Sequence, residues 1–149
     1  KKIIKRSLSI KKKFIEKDEF DKKERILLNY GHSFGHAIEK ITNFKIPHGI
    51  AVANGMNIAN FTSLKMNYIS KNQFNKMSDT LDRLLGSDKL KKFKTSELIE
   101  ALKKDKKNLK GSIRLILTKG LGKMFVKKIK NPNKLRDILI DYQNTLRRK

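Results

Sequence analysis

The chain contains no cysteine and no tryptophan, and only 2 prolines among its 149 residues. Without thiols there are no disulfides and no thiolate metal ligands, so any metal must be held by His, Asp or Glu. No apolar run approaches the ~20 residues of a bilayer span. The opening stretch, Lys1 to Lys13, is basic and lacks the apolar core of a signal peptide. These absences predict a cytoplasmic protein that makes no membrane contact. The first residue is Lys rather than Met, which is read here as the mark of a piece of something longer.

Acidic residues are also scarce, 14 against 37 basic ones, for a formal charge of +23. An excess of this size occurs on nucleic-acid and anionic-membrane surfaces. Here, however, Lys far outnumbers Arg and is spread along the whole chain. Aromatics are only 7% and do not interleave with the basic runs. Dedicated nucleic-acid binders concentrate Arg and aromatic residues in a patch. A basic helical nucleic-acid-binding module is therefore the second choice, and no nucleic-acid partner is expected. An anionic small substrate needs only a few of these charges.

The length fits one domain able to bury a core without staples. Residues 1–18 read as a basic helix with Ile3, Ile4, Leu8 and Ile15 on an approximate helical period. Asp21 to Ile41 reads as one long helix, and Thr42 to Lys45 as a short connection. Pro47 suits a helix start, and Gly49 to Lys65 is apolar on most sides, as in a buried helix. Lys71 to Leu85 is amphipathic and ends at Gly86. A shorter helix runs from Thr95 to about Lys104. The pattern then changes to two short β-prone runs, Ile113 to Thr118 and Met124 to Ile129, joined by a glycine-containing turn. Asn131-Pro132 breaks the chain, and Asn133 to Leu146 reads as a final helix. The expected fold is mainly α with one small hairpin. No glycine-rich strand–turn–helix for a dinucleotide is present in the sequence.

All three histidines, His32, His36 and His48, fall within seventeen residues. On a continuous helix Arg25, Asn29, His32 and His36 would share an arc of roughly 60°. Leu27, Phe34, Ala37, Ile38 and Ile41 would point the opposite way, into the core. Gly31 and Gly35 sit inside this segment at ~1 kcal/mol each relative to Ala, more readily accepted where a backbone or ligand comes close. The tight connection through Asn43 would return His48 toward the histidine stripe, at a helix start where N–H groups favour anions. A histidine pair four apart also occurs as an exposed or core-satisfied pair, and glycines four apart also serve helix packing. The residues alone leave a metal or anion site and a plain packing face both open.

The spacing Arg25-x3-Asn29-x2-His32-x3-His36, within Gly31-His32-Ser33-Phe34-Gly35-His36-Ala37-Ile38-Glu39, resembles the signature of the 3-dehydroquinate synthase family. His48-Gly49-Ile50-Ala51-Val52-Ala53-Asn54-Gly55-Met56 is similar to the family's second block. Asp105-Lys106-Lys107-Asn108, with Gly111 and the run from Ile113 to Leu117, is similar to its third. Lys11 falls where the family has a substrate lysine. The resemblance covers about Ile10 to Ile129, and it implies the helical C-terminal domain of a sugar-phosphate cyclase. The implied reaction converts a seven-carbon keto-acid sugar phosphate to 3-dehydroquinate with loss of phosphate, on the shikimate route to aromatic amino acids. The implied cofactors are NAD and a divalent metal, zinc or cobalt. By the same resemblance His32 and His48 are metal ligands. His36 lies beside the phosphate and the proton path, and Asn29 helps hold the phosphate. Arg25 and Lys11 bind the carboxylate end, and Lys107, with Lys106 close behind, supplies a further substrate cation.

Two positions depart from the family pattern. Ile50 stands where the family commonly has Glu, and Ser33 where it often has Thr. Ile50 favours a related cyclase acting on another sugar phosphate, whereas Lys11 and Arg25 favour a substrate carboxylate and hence dehydroquinate synthase. The family's third metal ligand is a glutamate further upstream than the 31 residues before His32. Its NAD-binding domain lies there too, along with an arginine lent by the second subunit of a homodimer. The chain therefore reads as a C-terminal metal- and substrate-binding domain, residues 1–149. It is expected to be inactive alone and to partner an N-terminal NAD-binding domain.

Overall fold

The computed structural model describes residues 1–20, 24–90, 92–104 and 112–147. Six helices and one hairpin follow in order: α1 (Lys2–Lys17), a 3-10 turn (Arg25–Asn29), α2 (His32–Ile41), α3 (His48–Lys65), α4 (Lys71–Leu85), α5 (Thr95–Lys103), β1 (Ile113–Thr118), β2 (Met124–Ile129) and α6 (Pro132–Arg147). The fold is mainly helical, as the periodicity predicts. The two strands pair antiparallel, from Ile113 opposite Ile129 to Thr118 opposite Met124. Their turn is closed by Lys119 N–H to the Lys123 carbonyl at 2.9 Å, with Gly120 and Gly122 at positive φ. Four consecutive β1 residues, Leu115 to Thr118, are buried, so the strand does not alternate as a half-exposed one does.

One expected element is different. Asp21 to Ile41 is not a single helix: Arg25–Asn29 forms a 3-10 turn, and α2 begins afresh at His32. The break is Gly31, whose φ of +81° is left-handed and ends the turn. A side chain there would also meet the α3 backbone, 2.8 Å from Met56 N and from the Val52 carbonyl oxygen. Gly31 and Gly35 are therefore the points where α3 comes close, which is the packing role left open above.

Helix α3 is the centre of the fold and packs on α2, α4, α6 and β1. Its sequence lacks an amphipathic face because both sides are covered, and its small residues allow close neighbours. Its polar residues are buried too, and each bonds outward or along the helix. Asn54 donates to the Ile50 and Asp88 carbonyls and accepts from Leu90 N–H at 2.8 Å. Asn57 donates to Asp82 on α4 at 3.0 Å. Asn60 accepts from the Tyr30 hydroxyl, and Ser63 accepts from Thr118 N–H on β1 at 3.1 Å. These bonds fix the register of α3 against four other segments. Burial pushes the Tyr30 phenol well above its ordinary pKa, so it stays a neutral donor.

Helix α4 starts with a reciprocal cap. Ser70 Oγ accepts from Gln73 N–H at 3.2 Å, and the Gln73 side chain accepts from Ser70 N–H at 2.9 Å. Ser70→Ala is expected to lower stability by about 1 kcal/mol. Urea unfolding of the variant beside Ser70→Gly, which is expected to lose only a few tenths, checks the assignment to the cap.

Candidate metal and substrate site

The link between α2 and α3 is short and strained. Asn43 and Phe44 both adopt left-handed φ, 51° and 58°, a conformation that non-glycine residues seldom take. Phe44 N–H closes the end of α2 on the Glu39 carbonyl at 2.7 Å. The reversal places His48, the first residue of α3, beside α2. The three imidazoles come together there, with ring centroids 5.7 Å apart for His32 and His36, 5.4 Å for His32 and His48, and 5.8 Å for His36 and His48. His32 and His36 share one face of α2 because they are four apart.

The substrate-side residues reach the same place by another route. Arg25 and Asn29 lie on the 3-10 turn rather than on α2, so the continuous helical stripe does not exist. They still line one cleft of about 480 Å³ with Ser7, Lys11, Leu28 and His32. Helix α1 supplies Lys11 to its wall. Arg25 is anchored at both ends: its N–H donates to Asp18 Oδ2 at 3.0 Å, and its guanidinium donates to the Glu19 carbonyl at 2.6 Å. Behind the cleft, Asn29, His32, Ser33, His36 and Arg114 surround a smaller gap. Ser33 Oγ donates to the Arg114 carbonyl at 3.5 Å. The structure thus brings Lys11, Arg25, Asn29, His32, His36 and His48 into one region. Lys106 and Lys107 lie outside the described residues.

Two residues here were given no role by the sequence reading. Arg114 enters from β1. Glu39 is the second: its Oε1 lies 3.0 Å from His48 Nδ1, and its side chain is only 12% exposed. Donor atoms of His36, Glu39 and His48 all lie within 4.8 Å of one another. Glu39 sits three residues after His36, so the same α2 face that carries His36 also presents a carboxylate. Two imidazoles and a carboxylate, His36, His48 and Glu39, with the His32 ring beside them and no thiolate, offer donors of the kind that zinc and cobalt accept.

A sequence model of the 3-dehydroquinate synthase C-terminal family matches residues 1–108. The chain belongs to that family. The 3-dehydroquinate synthase of Dictyoglomus thermophilum is 41% identical over 123 residues, covering 82% of this chain and 34% of the relative. The Campylobacter jejuni 3-dehydroquinate synthase is 40% identical over 126 residues, covering 84% of this chain and 36% of the relative. The chain thus spans about a third of the length of these synthases. Among solved structures, a 2-deoxy-scyllo-inosose synthase complexed with carbaglucose-6-phosphate, NAD+ and Co2+ superposes with a TM-score of 0.72. Its identity is 24%, over 83% of this chain and 36% of the other. The 2-epi-5-epi-valiolone synthase of Streptomyces hygroscopicus, with NAD+ and Zn2+ bound, gives a TM-score of 0.69 at 18% identity, over 88% and 37% of the two chains. These last two establish the helical fold of the synthase C-terminal family and nothing finer. Among the described residues, no helix is long and apolar enough to cross a membrane.

Proposed function

We propose that this chain is the metal- and substrate-binding part of a 3-dehydroquinate synthase, which turns a seven-carbon keto-acid sugar phosphate into 3-dehydroquinate and inorganic phosphate. The observation that carries the reading is the convergence of Lys11, Arg25 and Asn29 on one cleft with His32. A cation pair at one end suits a carboxylate, which a guanidinium grips in a bidentate way. Asn29 and His36 bind the phosphate end, and His36 stands in the path of the proton removed during elimination. His32 and His48 would hold the divalent metal. When bound, the metal supplies a Lewis acid at the hydroxyl being oxidised, and NAD a reversible hydride acceptor. Lys106 or Lys107 adds a substrate cation.

NAD and a third metal ligand are assigned to sequence other than these 149 residues, in an N-terminal domain of the same protein. The share of the relatives that the chain covers supports that division. The complete enzyme is assigned as a cytoplasmic homodimer. The test is phosphate release from the keto-acid sugar phosphate, with NAD and Zn2+ or Co2+, by the full translated product carrying these residues. Metal-dependent release supports the reading. A folded, metal-loaded product that releases none, or that prefers a sugar phosphate lacking the carboxylate, overturns it. The 149-residue chain alone is expected to give no release above background.

A further inference from the structure

We propose that Glu39 is a positioning residue for the metal centre: its carboxylate holds the proton of His48 on Nδ1 and so presents Nε2 to a divalent cation. This rests on the metal reading given above and adds a residue to it. The contact is the 3.0 Å approach of His48 Nδ1 to Glu39 Oε1. An ionised carboxylate has no proton to give and only accepts hydrogen bonds. A neutral His48 in that contact must therefore donate from Nδ1, which leaves the Nε2 lone pair as its one metal-binding site. The two partners differ in exposure: the His48 side chain is 56% exposed and Glu39 only 12%. The carboxylate is thus the fixed element, and the ring is what it orients.

A second contact follows the same pattern. His32 Nδ1 faces the Tyr30 carbonyl oxygen at 3.4 Å. A carbonyl also only accepts, so His32 in this contact donates from Nδ1 and is turned the same way. Among the described residues, His36 has no acceptor of this kind behind its ring. The two histidines with an acceptor behind Nδ1 are His32 and His48, whose ring centroids are 5.4 Å apart. This is the arrangement in which acceptors outside the metal's own ligands set the tautomer and basicity of ligating imidazoles. The alternative use of the same atoms is direct ligation by Glu39 with His36 and His48, whose donor atoms lie within 4.8 Å of one another. In that case Nδ1 of His48 would face the metal instead of the carboxylate. The orientation shared by His32 and His48 favours the positioning role.

The experiment uses the 149-residue chain, uniformly labelled with nitrogen-15, at a pH where its imidazoles are neutral. Long-range proton–nitrogen spectra report which ring nitrogen carries the proton, and three histidines are few enough to assign with single His→Gln variants. Metal-free wild type is expected to show His48 protonated on Nδ1. Glu39→Ala is expected to move the proton to Nε2, while Glu39→Gln keeps it on Nδ1, because the amide oxygen accepts there. Titration with Zn2+ and Co2+ is expected to show an affinity loss of about 10–100-fold for Glu39→Ala, and a smaller one for Glu39→Gln. A wild-type His48 protonated mainly on Nε2, or one indifferent to Glu39→Ala, overturns the proposal whatever the metal does. Equal losses in the two variants, with a changed visible spectrum of bound Co2+, would mark Glu39 as a ligand and overturn it as well. The metal titration is made on the full translated product, which carries the third ligand assigned above; a product with the expected tautomer that takes up neither metal there overturns the metal reading, and the positioning role with it.

Discussion

Gly55→Ala is expected to destabilise the chain by about 3 kcal/mol, although the change is to the best helix former. Propensity alone favours Ala in a helix interior by about 1 kcal/mol. Packing decides the sign. A Cβ at position 55 would lie 2.2 Å from the Gly31 carbonyl oxygen and 2.7 Å from Gly35 N. Both are backbone atoms of the segment that crosses α3, so no side-chain rotation relieves the clash. The helices must separate, and buried groups between them lose contacts in a closely packed interior. Gly49→Ala is the control, since a Cβ there meets nothing within 4 Å. It is expected to leave stability unchanged or raise it by up to about 1 kcal/mol. Urea unfolding of both variants checks the pair, and equal stability of the two would refute the close approach.

In the complete enzyme, His32→Ala and His48→Ala are each expected to lower turnover by more than about 100-fold and to strip the metal, since even residues behind the ligands contribute 10–100-fold. His36→Ala is expected to keep the metal and lose about 10²–10⁴-fold in rate, the range of a proton-transfer group. Metal content after gel filtration separates the two classes without relying on activity. Loss of metal from His36→Ala would move that residue into the ligand set with Glu39 and His48, whose donor atoms already lie close together. Arg25→Lys tests the other end of the substrate. A point charge replaces a planar fork, so KM for the carboxylate substrate is expected to rise while metal content stays constant.

The helices and the hairpin were legible because their periods are local. The apolar run of α3 and the amphipathic pattern of α4 up to Gly86 need no partner to be read. The misreading of Asp21 to Ile41 as one helix has a non-local cause. Gly31 costs only about 1 kcal/mol in a helix, which a local pattern absorbs. What demands a glycine there is the α3 backbone at Val52 and Met56, more than twenty residues away. The convergence of the histidines was expected from the tight connection, although the helical stripe that led to Arg25 and Asn29 does not exist. Glu39 escaped notice because its contact depends on two successive left-handed residues, Asn43 and Phe44; Asn tolerates that conformation, but nothing local signals it for Phe44. The buried asparagines were equally silent. Asn54, Asn57 and Asn60 bond to groups 25 to 36 residues distant, so their value appears only once the fold is assembled.

Helix α1 carries Lys11 to the cleft yet buries none of its own residues. Little free energy then opposes its peeling away, and its amides are expected to exchange with solvent long before those of α3. Within these residues, that wall of the cleft is therefore loosely held. An anion bridging Lys11 and Arg25 would order the helix as it binds, so part of its intrinsic affinity is consumed in closing the wall. Recognition and local folding would then be coupled at this edge, while the histidine edge is set on the crossing of two glycine-packed helices.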